Sequence, residues 1–185
     1  MKLKLYIDFD GVILNTIDIS YKMLEEEKID PKNLEAITNF YINLDWKQLL
    51  EKSEPINHSI ECLKKLMESD KFDISILTHV TSKNEINEKK AYMKKKIPDL
   101  NVIFVDKKKQ KCDVVECKNA ILVDDYMGNL ELWEKKGGIP IKFSTTGKKY
   151  SCIAINSLDT LFDLYNQIQN QIQVKKLEIN KKYKK

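Results

Sequence analysis

Six short runs of largely apolar residues, at 3–7, 73–77, 102–105, 120–123, 139–143 and 152–155, leave this chain few folds to adopt. Their apolar content is nearly continuous rather than alternating, as in strands covered on both faces. Helical patterns separate them. After Pro55, Ile56, Ile60, Leu63 and Met67 recur at helical spacing and line one face. Ile86, Met93 and Ile97 form a weaker stripe that stops at Pro98. Asn129 can cap a short helix carrying Leu130, Leu132 and Trp133, which Gly137 and Gly138 close. Leu158, Leu161, Phe162, Tyr165, Ile168 and Ile172 make a last amphipathic stripe with Ser157 as its N-cap. Strands alternating with helices predict an α/β fold, a doubly wound parallel sheet.

One segment breaks the alternation. Residues 17–52 hold no strand pattern, and about 36 residues is too long for an ordinary strand-to-helix loop. Ile19, Met23 and Leu24, then Leu34, Ile37, Phe40, Tyr41, Leu44, Trp46 and Leu49, read as two or three helices. They form a small helical cap inserted after the first strand, over the end of the sheet. The expected organisation is a core of residues 1–16 and 53–173, the cap at 17–52, and a Lys-rich tail at 174–185. A chain of 185 residues can build one well-cored domain and such an insert.

Charge excludes some partners. The formal +4 is concentrated in the tail, where 174–185 holds six Lys and one Glu. The body is close to neutral, so nucleic acid is a partner only through the tail. Every one of the 32 basic residues is Lys, so a phosphate would meet ammonium groups and backbone N–H rather than a guanidinium fork. No apolar run approaches the ~18 residues of a membrane span. Acids also stand where a signal peptide would continue its apolar stretch, so a cytoplasmic protein without a membrane span is expected. Cys62, Cys112, Cys117 and Cys152, with His58 and His79 the only histidines, lack the spacing of a zinc site and read as reduced, structural residues.

The acids fall at the strand ends, where open parallel sheets bind their ligands. The first strand runs into Asp8-Phe9-Asp10-Gly11, the second into Thr78-His79, the third into Asp106 and the lysines of 107–111, and the fourth into Asp124-Asp125. A cluster of carboxylates repels itself and suits a hard divalent cation, Mg²⁺ before others. Asp8 and Asp10, two apart on extended chain, face the same side, so one can attack an electrophile while the other moves a proton. Gly11 allows a sharp turn and can offer its N–H to an anion.

With these motifs in order, the chain resembles the haloacid dehalogenase-like (HAD) superfamily over residues 3–145. The matching pieces are Asp8-Phe9-Asp10-Gly11-Val12 with Thr16, Thr78 in ILTHV, a Lys of the 107–111 run, and Asp124-Asp125 in ILVDDY. The stretch from Lys111 to Phe143 is similar to the 5′(3′)-deoxyribonucleotidase-like branch, with its Asn-Leu-x-x-Trp helix leading into Gly-Gly and a strand. The resemblance implies a Mg²⁺-dependent phosphomonoester hydrolase with Asp8 as nucleophile, Asp10 as acid and base, and Thr78 holding a phosphoryl oxygen. It also implies a Lys neutralising the transition state, with Lys111 matching the spacing and Lys108 or Lys109 as alternatives. Asp8, Asp10 through its carbonyl, and a carboxylate of Asp124 or Asp125 would hold the metal. Gly11, His79 and Lys109 are the candidates for substrate contact.

The expected substrate is a small phosphomonoester, a nucleoside monophosphate first. Alternatives are another small phosphomonoester, a polynucleotide end reached through the Lys tail, or a binding or regulatory protein without turnover. Phe40, Tyr41 and Trp46 could stack on a base, but aromatics at helical spacing belong more often to the core of a small insert. Tyr126 and Asn129, just past the metal acids, are candidates to line the mouth of the site, with the helix cap the favoured role of Asn129, and His58 is placed in the first turn of a helix.

Overall fold

In a computed structural model, residues 2–182 are described, with side-chain surroundings for residues 2–174. The expectations for the Lys-rich side chains of the tail therefore lie outside the described residues. Six strands, β1 (Leu3–Ile7), β2 (Phe72–Val80), β3 (Asn101–Asp106), β4 (Ile121–Asp124), β5 (Ile139–Phe143) and β6 (Ile153–Ile155), form one sheet in the order β3-β2-β1-β4-β5-β6. Every neighbouring pair is parallel. The fold is α/β with a six-stranded parallel sheet.

The helices are α1 (Thr16–Glu26), α2 (Leu34–Asn43), α3 (Trp46–Lys52), α4 (Ser59–Glu68), α5 (Lys83–Lys96), α6 (Met127–Lys135) and α7 (Thr160–Lys182). Alternation along each strand divides the core into two layers. Leu3, Leu5 and Ile7 of β1 pack with Ile121 and Val123 of β4, and are covered by Ile60, Leu63 and Leu66 of α4, Met93 of α5, and Leu161 and Ile168 of α7. Tyr6 and Leu122 point the other way, onto Leu130 and Trp133 of α6. Trp133 is fully buried, donates its indole N–H to the Ala120 carbonyl at 2.9 Å and meets the Tyr6 ring edge-on. The turn after α6 passes so close that a Cβ on Gly138 would stand 2.2 Å from Trp133 Cδ1, which leaves glycine as the residue that fits.

β1 lies between β2 and β4, so the chain leaves it in one direction toward β3 and later in the other toward β6. Such a reversal opens a crevice at the carboxyl ends of the strands. Register sets the level: Ile7 pairs with Ile76 and with Val123, and the Asp8 N–H donates to the Val123 carbonyl at 2.9 Å. Asp8 and Asp124 therefore leave the sheet side by side.

Three helices, α1 to α3, occupy the segment after β1 and share a small core of Phe40, Leu44, Trp46 and Leu49, flanked by Ile19, Met23, Leu24, Ile29 and Tyr41. The side chains of Asn33 and Asp45 cap α2 and α3 by accepting from the N–H groups of Ala36 and Gln48. The chain enters and leaves this segment at one point, where the Asn15 N–H bonds the Glu54 carbonyl and the Ile56 N–H the Ile13 carbonyl.

Several boundaries differ from the sequence reading. β2 continues to Val80, because β3 pairs with it through Asp106, so Thr78 and His79 lie within the strand. α4 begins at Ser59, since Asn57 and His58 take left-handed backbone angles (φ 44 and 58); His58 is the residue before the helix, not part of its first turn. α6 begins at Met127 with Tyr126 before it, so Asn129 is inside the helix and does not cap it. α7 begins at Thr160, three residues beyond Ser157, because Leu158 turns into the core and its carbonyl accepts the Leu161 N–H. Among the described residues, no helix is long and apolar enough to cross a membrane.

Candidate active site

The crevice beyond β1, β2 and β4 holds two buried ammonium groups, each braced by carboxylates. Lys111 comes from a short 3₁₀ turn, Lys111–Asp113, which Gln110 and Asp113 close as a reciprocal cap. Its Nζ lies 2.6 Å from Asp124 Oδ2 and 3.0 Å from Asp8 Oδ1. Of the lysines at 107–111, this is the one placed among the acids; Lys107, Lys108 and Lys109 are exposed. Burial pulls the Lys111 pKa down, but Asp8 and Asp124 outweigh it and hold it above the ordinary lysine value.

Asp124 is fully buried, and both its oxygens are occupied: Oδ2 accepts from Lys111 and from the Asn129 amide at 2.9 Å, and Oδ1 from the Tyr126 N–H at 2.8 Å. Asn129, expected as a helix cap, thus holds an acid of the site. Asp8 accepts its neighbour's Phe9 N–H at 2.8 Å on Oδ1. Burial pushes the Asp8 pKa up to about 7; Lys111 opposes this, while Asp124, Asp10 and Asp125 reinforce it.

Asp125 differs from Asp124. Among the described residues its carboxylate accepts no hydrogen bond, and Lys142 of β5 donates instead to its backbone carbonyl. Burial, then Asp124, pushes the Asp125 pKa up to about 6, against the pull of Lys142. Its oxygen also accounts for Gly11. A Cβ there would stand 2.5 Å from Asp125 Oδ2, and the backbone φ is +70. The Gly11 N–H donates to the Leu14 carbonyl at 2.9 Å, so the anion contact expected of it is already spent within the turn.

Asp10 is held from three sides: Thr16 donates to Oδ1 at 2.7 Å, and Lys89 and Thr78 approach Oδ2 at 2.5 and 3.4 Å. Thr78 is fully buried. His79 sits at the rim with Nε2 3.0 Å from the Lys109 carbonyl, an anchor for the loop that presents Lys111; burial lowers its pKa. Lys109 thus meets the site through its backbone.

Lys89 and Glu85, which sequence reasoning missed, form the second braced ammonium. Both are on α5, four residues apart, with Nζ to Oε1 at 2.7 Å. The signal was present: Lys89 interrupts the apolar stripe of Ile86, Met93 and Ile97, and a Lys on a buried face demands a counter-ion. Lys142, on the buried strand β5, carried the same signal.

One oxygen each from Asp8, Asp124 and Asp125 lies within 4.8 Å of the others. Around the crevice, the five carboxylates of Asp8, Asp10, Glu85, Asp124 and Asp125 face the three ammonium groups of Lys89, Lys111 and Lys142. With every carboxylate ionised the formal surplus is two negative charges, and the donors are hard oxygens. That set fits one divalent hard cation.

No family model matches the sequence, and no curated protein matches it. Solved structures do match the fold. A HAD phosphatase from Thermococcus onnurineus is 17% identical with a TM-score of 0.58, over 89% of this chain and 97% of the other. YfnB from Bacillus subtilis, described as a HAD-hydrolase bound to magnesium, is 12% identical with a TM-score of 0.61, over 89% and 99%. A haloacid dehalogenase-like family hydrolase from Xanthomonas campestris is 11% identical with a TM-score of 0.62, over 92% and 94%. At such identities the likeness establishes the fold, which is HAD-like.

Proposed function

We propose that the chain is a Mg²⁺-dependent phosphomonoester hydrolase working through an aspartyl-phosphate on Asp8, with nucleoside monophosphates as its substrate class. The observation that carries this reading is the pairing of Asp8 with a buried Lys111, beside one carboxylate that accepts no hydrogen bond, Asp125, and one held by donors, Asp10. Asp8 Oδ1 is engaged by Lys111 and the Phe9 N–H, which leaves Oδ2 to attack phosphorus. Lys111 lies where charge grows on the phosphoryl oxygens, and Thr78 borders the same space.

Asp10 passes a proton to the departing alkoxide and later takes one from the water that releases phosphate. Asp8, Asp125 and the Asp10 carbonyl would hold Mg²⁺, with Asp124 committed to Lys111 and Asn129. When bound, Mg²⁺ supplies charge neutralisation between the carboxylates and the phosphoryl oxygens.

The nucleoside part of the reading rests on a different aromatic from those the sequence suggested. Phe40 and Trp46 are buried, and Tyr41 is half-buried, with its hydroxyl paired with Ser20 and its ring edge-on to Phe40. Tyr126 is 66% exposed and directly follows Asp125. Its ring is available to a base at the rim.

The test is phosphate release from ribo- and deoxyribonucleoside monophosphates and sugar phosphates, with and without Mg²⁺, by the wild type and Asp8→Asn. The expected result is Mg²⁺-dependent turnover, lost in Asp8→Asn, with nucleotides preferred. Turnover that survives Asp8→Asn would refute the nucleophile, and a preference for sugar phosphates would refute the substrate class.

A further inference from the structure

Lys89 is a fully buried ammonium on α5, the helix that follows β2, and belongs to none of the motifs at the strand ends. Its three N–H donors each have a partner: Asp10 Oδ2 at 2.5 Å, Glu85 Oε1 at 2.7 Å and Thr78 Oγ1 at 3.4 Å. None is left for a substrate oxygen. The pair is braced in turn, because Glu85 Oε2 accepts both the N–H and the hydroxyl of Thr81 at 2.7 and 2.9 Å. Two rings enclose the ammonium, Phe9 from the turn after β1 at 5.1 Å and Trp46 from α3 at 4.7 Å.

The geometry points to Lys89 as the positioning residue of Asp10: braced by Glu85 and enclosed by Phe9 and Trp46, it fixes the carboxylate in the orientation that serves the leaving oxygen. The inference rests on the hydrolase reading and extends it. As Asp8 Oδ2 bonds phosphorus and the bond from phosphorus to the leaving oxygen breaks, the broken bond's electron pair stays on that oxygen, which takes the proton carried by Asp10. In the second half, Asp10 takes a proton from water as the water oxygen bonds phosphorus and the Asp8–phosphorus bond breaks, restoring the Asp8 carboxylate. Lys89 gains and loses nothing in either step. Its part is to keep Asp10 from rotating away, and Trp46 makes that part depend on how the inserted helices are seated.

The test compares leaving groups. A deoxynucleoside monophosphate releases an alkoxide that needs the proton, whereas p-nitrophenyl phosphate releases a phenolate that departs without one. The parameter is kcat/KM, which covers the step in which the leaving group departs. In Lys89→Met it should fall about 100-fold or more for the nucleotide, the scale of a lost general acid, and less than about 10-fold for the aryl ester.

A buried Glu85 without its partner could unfold that variant. The double variant Glu85→Leu/Lys89→Met therefore removes both charges, since such pairs are often replaceable by apolar residues. It should melt near the wild type and keep the same leaving-group signature. Equal losses on both substrates in the double variant, or no loss on either, would overturn the positioning role while leaving the hydrolase reading intact. A wild type that hydrolyses neither ester would overturn the hydrolase reading itself and this inference with it.

Discussion

Replacing Asp125 by Asn should stabilise the metal-free protein. In the folded chain, burial and the neighbouring Asp124 push the Asp125 carboxyl from 3.8 to about 6. A raised acid pKa means the folded state binds the proton more tightly than the unfolded one. The stability this confers is fully present below the unfolded value and is lost as pH rises through about 6. At pH 8 the charged group costs roughly two pH units, or about 3 kcal/mol. Asn is nearly isosteric and uncharged, so Asp125→Asn should recover most of that. For a chain of this size the gain corresponds to a rise in Tm of roughly 5–10 °C. At pH 4 the carboxyl is protonated in the folded state and about half so in the unfolded one, and the gain should shrink to less than about 1 kcal/mol. The assay is thermal unfolding in EDTA at both pH values, repeated in Mg²⁺, which should raise the Tm of the wild type at pH 8 and leave Asp125→Asn nearly unchanged. No gain at pH 8 without metal would refute the cost of burying this charge beside Asp124, and an equal gain at pH 4 would trace it to packing instead of charge.

Two further substitutions probe the same crevice. Lys111→Met leaves Asp8 and Asp124 buried without their counter-ion and should cost about 3–5 kcal/mol in urea unfolding; the loss should be smaller when Asp124→Asn is made alongside. Gly11→Ala places a methyl at φ +70 and 2.5 Å from Asp125 Oδ2, so it should cost about 1–2 kcal/mol and weaken Mg²⁺ binding in calorimetry by displacing that carboxylate.

What could be read from the chain, and what could not, follows from the range of the interactions. The parallel sheet was legible because alternation of strand and helix is written locally, in Leu3, Leu5 and Ile7 and in the stripes of α4 and α7. The four acids at the strand ends were legible for the same reason: a strand that stops at Asp8 or Asp124 announces both its end and its chemistry. The choice of Lys111 over Lys108 or Lys109 was not, since it depends on a single 3₁₀ turn that directs one side chain inward and leaves its neighbours in water. Of the two roles open to Asn129, cap and site residue, the structure takes the second, and the two look alike until the first residue of α6 is known. Lys89 announced itself locally, as a Lys on a buried helix face, but what it answers was not legible. Asp10 stands 79 residues earlier, and Trp46 belongs to an insert whose contact with α5 no local pattern specifies. Acids at strand ends can be listed from sequence, but the lysines that answer them arrive from α5, β5 and a turn. The surplus of two negative charges, and with it the case for a single divalent cation, exists only once those three elements have packed together.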